Sequence, residues 1–183
     1  LKESYDDMGY RANTKWYEIY QQFNTPQTQN DLDIQGGSEI MAYNISASQF
    51  HQKGTTIGNF YDRYTFRTNL DARPKTWFRT GVNINLSYDK TSRNSAWGNS
   101  ADNANYVDGG LCYLLNPMYP SVDPETGKDL IYYPFDSYNP EYTDKNNKAI
   151  TSRYFLNGNT YFEIEPIKNL KLRSRIGTDI IFT

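Results

Sequence analysis

The residues that could do chemistry are few, and their spacing does not favour it. His51 is the only histidine and Cys112 the only cysteine. A Ser-His-Asp or Cys-His nucleophile would have to use His51, which sits in FHQKG far along the chain from Cys112. That position reads as a strand end entering a turn. Glu163 and Glu165 fall on one side of an extended strand, about 7 Å apart. They could serve as paired carboxylates for hydrolysis, and they read equally as polar residues of a wet strand face. DPETGKD offers Asp123, Glu125 and Asp129 to calcium, and the same stretch makes a plain Pro-Gly turn. TGKD (residues 126–129) lacks the GxxxxGK[ST] frame of a phosphate loop. DNANYVDGG lacks the EF-hand spacing, and the sequons at Asn44 and Asn85 fall inside strands. No catalytic residue, metal site or cofactor is expected.

The bulk numbers point elsewhere. The chain has 183 residues, of which 37% are hydrophobic and 16% aromatic, with 17 tyrosines. Mean hydropathy is −0.82. Disordered chains lack aromatics, and a helical membrane span needs about 20 apolar residues in a row, which this chain does not contain. A polar average with abundant Tyr suits a β-structure with one apolar and one wet face. The net charge of −2 and the lack of a basic cluster argue against nucleic acid. A single cysteine excludes an internal disulfide and says nothing of compartment. The chain begins at Leu1 without a signal peptide and reads as a piece of a larger protein.

Period-two alternation organises most of the chain. Residues 1–26 form an irregular lead-in. Within it KWYEIYQQF could make a short amphipathic helix with Trp16, Ile19, Tyr20 and Phe23 on one face, capped by Asn13 or Thr14. Residues 27–91 carry four strands. Leu32 and Ile34 alternate with Asp31, Asp33 and Gln35, and after the turn GGSE the series Met41, Tyr43, Ile45, Ala47 follows. Beyond the loop KGTTIGN comes the hairpin YTFRTNLDARPKTWFRTGVNINLSYD, with Pro74 assigned to its turn. Residues 150–183 carry two more strands around EPIKN. These strands exceed the usual 5–6 residues; four of the six exceed the 9–11 that cross a bilayer.

Turns alternate with longer connections, an asymmetry of outer-membrane barrels. The expected fold is therefore all-β, a section of a large antiparallel transmembrane β-barrel, about six strands with one long extracellular loop. Phe60, Tyr61, Trp77, Phe78, Tyr88, Tyr154 and Phe155 near strand ends suit interfacial girdles. Arg63, Arg67, Asn69, Asp71, Arg79, Asn83, Asn85, Arg173 and Arg175 then line the lumen. A soluble antiparallel sheet of long hairpins is the alternative, and it would need one dry face. Residues 92–149 break the pattern and are rich in Asn, Asp, Ser, Gly, Pro and Tyr. Such a stretch is either functional or packed on something else. Trp97, Tyr106, Tyr113, Tyr119, Tyr132, Tyr133, Tyr138 and Tyr142 could capture sugar or peptide. The plainer reading is that they fold the loop or form an interface, where Tyr is favoured.

A combination of motifs resembles a known family. The strand ending in GGS, the Tyr-containing strand running to QKG, RYTFRTNLD, the start WFRTG, the upstream NTKWYEIYQ and the downstream NLKLRSRIGTD are similar to the barrel of SusC/RagA TonB-dependent outer-membrane transporters. The resemblance spans nearly all the chain except the long loop. It implies a 22-stranded barrel around an N-terminal plug in the outer membrane of Gram-negative, Bacteroidetes-type bacteria. It also implies import of oligosaccharides or peptides powered by TonB, and a SusD-like surface lipoprotein as lid. Six strands cannot close a barrel, so the implied partners include the rest of the barrel, its plug and outer-membrane lipid. Within that picture Trp97, Tyr106, Tyr113, Tyr132 and Tyr133 contact substrate or lid. A non-transporting extracellular glycan-binding or adhesion module is the other class of function.

Overall fold

The computed structural model describes residues 12–93, 115–123, 126–130, 132–133, 137–146 and 149–183. In chain order its elements are α1 (Trp16–Tyr20), β1 (Gln27–Gly37), β2 (Met41–Lys53), β3 (Phe60–Lys75), β4 (Phe78–Arg93), β5 (Tyr132–Tyr133), β6 (Ser137–Tyr138), α2 (Pro140–Asn146), β7 (Ala149–Ile167) and β8 (Leu170–Phe182). They belong to two compact units.

The first unit is a six-stranded sheet in the order β1-β2-β3-β4-β7-β8. Its strands run from 11 to 19 residues. The β1–β2 pairing is antiparallel and unbroken from Gln27 opposite Gln52 to Gly37 opposite Ala42. β7 and β8 pair antiparallel from Tyr154 opposite Phe182. One end of the sheet is closed by short turns after β1, β3 and β7. There the Arg73 N–H donates to Ile40 O, and the Glu165 N–H to Trp77 O. The longer connections all leave from the other strand ends.

Two turns are tighter than the sequence suggested. Pro74 lies inside β3, one residue from its end, because the hairpin turns only at Thr76 and Trp77. A strand end tolerates a residue that cannot donate to the ladder. EPIKN likewise turns only at Lys168 and Asn169. Glu165 and Pro166 stay in β7, where the register shifts between Ile164 and Ile167. A bulge accommodates proline because the extra residue is unpaired anyway. Asn169 takes φ 72°, which Asn tolerates through its short polar side chain.

The second unit gathers the described parts of residues 1–26, 53–60 and 92–150. The described parts of the long connection therefore carry structure that the sequence pattern did not show. Its core is Trp16, Tyr20, Leu115 and Tyr119, with Ile19, Ile57 and Leu130 packed against them. The Trp16 indole donates to Asn116 O at 3.1 Å. Helix α1 has the expected face at Trp16 and Tyr20, but it stops at Tyr20 and leaves Phe23 78% exposed. Lys15 occupies its N-cap position without a side-chain cap, so neither Asn13 nor Thr14 caps it.

Asn139 organises the rest of this unit. It is fully buried. Its amide donates to Ser121 O and Leu130 O, both at 2.7 Å, and its carbonyl accepts the Glu141 N–H at 3.0 Å. It thus caps α2, whose first residue, Pro140, needs no intrahelical donor. Lys145 bonds Asp129 at 3.1 Å and Glu141 at 3.3 Å. The hydrogen bond to Asp129 leads in holding the Lys145 ammonium above its ordinary pKa, against a smaller opposing effect of burial.

Asn139→Ala removes a cap and takes a donor from two half-buried carbonyls, of which Ser121 O keeps the Leu130 N–H. The expected cost is about 2–4 kcal/mol, seen as faster amide hydrogen exchange over residues 115–146 with the sheet still protected.

Candidate functional site

Alternation gives the sheet two chemically distinct faces. On one face stand Leu32 and Ile34 of β1, opposite Ala47 and Ile45 of β2. Phe66, Leu70, Val82, Ile84 and Leu86 continue it by parity. On β7 and β8 the cross-strand pairs are Leu156 with Ile180, Thr160 with Ile176, and Ile164 with Leu172. Many of these side chains remain open: Phe66 is 42%, Phe162 45% and Ile176 63% exposed. An exposed apolar face this broad marks a surface that contacts something other than water.

An aromatic row crosses that face at one level. The rings of Tyr64 and Tyr88 stack with centroids 6.3 Å apart, and Tyr88 meets Tyr154 at 4.8 Å. Phe182 stands opposite Tyr154, and the Tyr88 hydroxyl reaches Ser152 Oγ at 3.3 Å. The row thus runs over β3, β4, β7 and β8. Of the aromatics expected near strand ends, Tyr61 and Phe155 are corrected: parity puts them on the opposite face. There Tyr61 packs edge-on against Phe50, centroids 6.0 Å apart, under the Arg63 guanidinium at 5.3 Å.

The other face is polar and cross-linked between strands. Arg63 bonds Asp89 at 2.8 Å, and Arg67 Nε donates to Asn85 Oδ1 at 3.3 Å. Asn83 donates to Asn159 at 2.9 Å. Arg173 pairs with Glu163 at 2.8 Å and lies over the Tyr161 ring at 4.6 Å. Arg79 approaches Asp71 at 3.8 Å, and the Tyr161 hydroxyl donates to Asp71. Asn157 donates to Asp179. All nine residues expected on the wet side, Arg63, Arg67, Asn69, Asp71, Arg79, Asn83, Asn85, Arg173 and Arg175, share this face by strand parity.

Tyr161 belongs to that network, although nothing in its own position in the sequence singles it out. It starts on β7, crosses β4 and reaches Asp71 on β3. Gly81 makes this possible, since a Cβ there would lie only 2.3 Å from a Tyr161 ring carbon. Glycine inside a strand signals a close approach of this kind. Gly36 does the same for Tyr43 on the apolar face.

Among the described residues the remaining candidates do not assemble a reactive site. His51 bonds Asp62 at 2.5 Å from within β2 rather than from a turn, and Cys112 lies outside the described residues. Glu163 is held by Arg173, and Glu165 accepts the Asn169 N–H at 3.0 Å. Asp123 accepts the Thr126 N–H at 3.1 Å, while Asp129 is held by Lys145. Among the described residues no group of acidic, His or Cys side chains could hold a metal. No described helix is long and apolar enough to cross a membrane. Trp97, Tyr106 and Tyr113 lie outside the described residues. Tyr132 and Tyr133 form β5, opposite Tyr138 and Ser137 of β6. Tyr119, a candidate for capture, is instead 3% exposed in the core of the smaller unit.

The comparisons with known proteins agree with the two-faced sheet. The chain is 35% identical over 71 residues to "TonB-dependent receptor P26" of Formosa agariphila, covering 38% of the chain. It is 36% identical over 74 residues to "TonB-dependent receptor P3" of the same organism, covering 40%. No family model matches. Among solved structures, the RagAB peptide transporter superposes on 92% of the chain with a TM-score of 0.69 and 26% identity. The chain is similar to a section of a SusC/RagA-type TonB-dependent transporter barrel. The RagAB peptide importer in its open-open state matches the same fold at 21% identity, with a TM-score of 0.70 over 94% of the chain. The matched segments span 7% of the length of each curated relative and 19% of each solved transporter chain. The open edges of the sheet are those of a barrel section.

Gly81→Val should push Tyr161 off Asp71 and cost the intact barrel about 1–3 kcal/mol by overpacking. Tyr161→Phe should cost about 1 kcal/mol through the lost hydrogen bond. Urea unfolding of the intact protein in detergent measures both. A Gly81→Val barrel as stable as the parent would contradict the crossing geometry.

Proposed function

We propose that the intact protein is a TonB-dependent importer of the outer membrane and that this section supplies part of its wall. The observation that carries the reading is the two-faced sheet itself. From Tyr154 to Ile164 the apolar face of β7 spans ten residue steps. At about 3.3 Å per step and a strand tilt of about 40°, this gives an apolar band about 25 Å tall. That height matches the lipid-facing band of outer-membrane barrels, and the Tyr64–Tyr88–Tyr154 row stands where an interfacial girdle belongs. The cross-linked polar face then lines the lumen.

In this reading the short turns face the periplasm and the long connection faces outward. Substrate enters past the outward connection, where Trp97, Tyr106, Tyr113, Tyr132 and Tyr133 contact substrate or a SusD-like lipoprotein lid. The plug and the TonB contact belong to other parts of the protein. The likeness to TonB-dependent receptors supports TonB as the energy source, and the likeness to the RagAB peptide transporter supports peptide as one substrate class beside oligosaccharide. A water-borne adhesion module is disfavoured by the open apolar face, which such a module would have to cover.

Two lysine substitutions test the assignment of faces. Ile84→Lys, at the middle of the apolar band, should cost about 2–4 kcal/mol in lipid vesicles, while Asn69→Lys on the polar face should cost close to nothing. Equal costs would remove the lipid assignment. Import is tested in cells carrying the intact protein: nutrient uptake through it should vanish when TonB is deleted.

A further inference from the structure

On β3, β4 and β7 the apolar face is free of charge and then changes at one level. Inward of the tyrosine row, from Tyr64 to Pro74, Tyr88 to Phe78 and Tyr154 to Ile164, its alternate residues include no Asp, Glu, Lys, Arg or His. Two residues outward of Tyr64 stands Asp62, and two outward of Tyr88 stands Lys90. His51 of β2 bonds Asp62 Oδ1 at 2.5 Å. Charge on this face thus begins about 7 Å beyond the tyrosines. That is the level where a bilayer passes from hydrocarbon to headgroup.

Asp62 and Lys90 stand side by side. The stacked rings of Tyr64 and Tyr88 set the level of β3 against β4. On the opposite face Arg63 bonds Asp89, and these are the residues in between. Adjacent strands are about 4.8 Å apart, so an acid and an ammonium are neighbours across one strand interval. Just inward lies a groove of about 650 Å³, lined by Phe66, Leu86 and Leu156, with the three tyrosines along its outward side. β3, β4 and β7 each have a strand on both sides, and in the importer reading the plug lies against the polar face. The centre of the groove and the charged pair are therefore on the outer surface of the whole barrel as well.

We infer that this level of the wall is a site for a membrane lipid with a phosphoethanolamine headgroup, with the phosphate at Lys90, the ammonium at Asp62 and an acyl chain in the groove. The site rests on reading the apolar face as lipid-facing. Lysine meets phosphate as a compact charge with three donors. Its stem can lie along apolar surface while its head reaches the interface. His51 takes only Oδ1 of Asp62, and a carboxylate has further acceptor positions for a primary ammonium. A two-carbon link joins the phosphate and ammonium of this headgroup, which suits partners on adjacent strands. A headgroup with phosphate and no ammonium sets a like charge against Asp62. The groove's volume is in the range of small-ligand sites.

The test is native mass spectrometry of the intact protein, released from detergent micelles holding equal amounts of dioleoyl phosphatidylethanolamine and dioleoyl phosphatidylglycerol. The parent should retain the ethanolamine lipid about tenfold over the glycerol lipid. Asp62→Asn should bring the two to parity. Lys90→Gln should lower retention of both about tenfold. Lys75→Gln, at the other end of β3, should change neither. Equal retention by the parent, or indifference to Asp62→Asn or Lys90→Gln, would overturn the site. So would a parent that leaves the micelle as a lipid-free dimer, which would give this face to a second copy. If lipid selectivity is absent while Ile84→Lys is costly in vesicles, the lipid-facing assignment stands without a headgroup site. If retention follows the charges while no uptake depends on TonB, the site stands and the importer reading falls.

Discussion

The structure depends on one geometric constraint: a strand must give alternate side chains to opposite faces. In this sheet the two faces are apolar and polar along most of their length. A slip of one residue would carry every leucine of a strand to the polar side and every arginine to the apolar side. Register is therefore held hard. β1 and β2 stay in step over their whole pairing. The one irregularity between β7 and β8 falls at Ile164–Ile167, beside the turn, where the apolar band has ended and the parity of the remaining residues matters least.

The polar face solves a second problem. Four of its strands carry arginine, and an arginine row without partners would repel itself. Asp89, Asp71 and Glu163 answer Arg63, Arg79 and Arg173 across strand boundaries. Such exposed pairs contribute little stability one at a time. Their effect is to neutralise that part of the wall. Tyr161 adds a link over two strand intervals, and Gly81 allows it by having no side chain.

The same constraint explains why the solved transporters match almost the whole chain while the curated sequences match 38% and 40% of it. A barrel wall asks each position to be apolar or polar and asks little about which residue supplies that. Sequence can drift widely while strand length, parity and pairing stay the same. The long connection has its own rules. Its core of Trp16, Tyr20, Leu115 and Tyr119 draws on residues a hundred positions apart, and pattern within a short window cannot register such a core.

The sequence by itself determined the six strands, their approximate ends and the separation of Arg63, Arg67, Asp71 and Arg173 from Phe66, Ile84 and Leu172. Period two is a local property, and local alternation is enough to read it. It also showed the turn asymmetry, because Gly, Pro and Asn mark breaks in the pattern. Only the tertiary structure decided what needs a partner strand. It moved Tyr61 and Phe155 to the polar face, drew Pro74 and Pro166 into strands, buried Tyr119 and left Phe23 outside. It placed Tyr161 across Gly81 onto Asp71, and it set Asp33 opposite Ser46. Each of these depends on which residue stands opposite which, and pairing across strands is fixed by the hydrogen-bond register, a relation between distant segments that no single segment encodes.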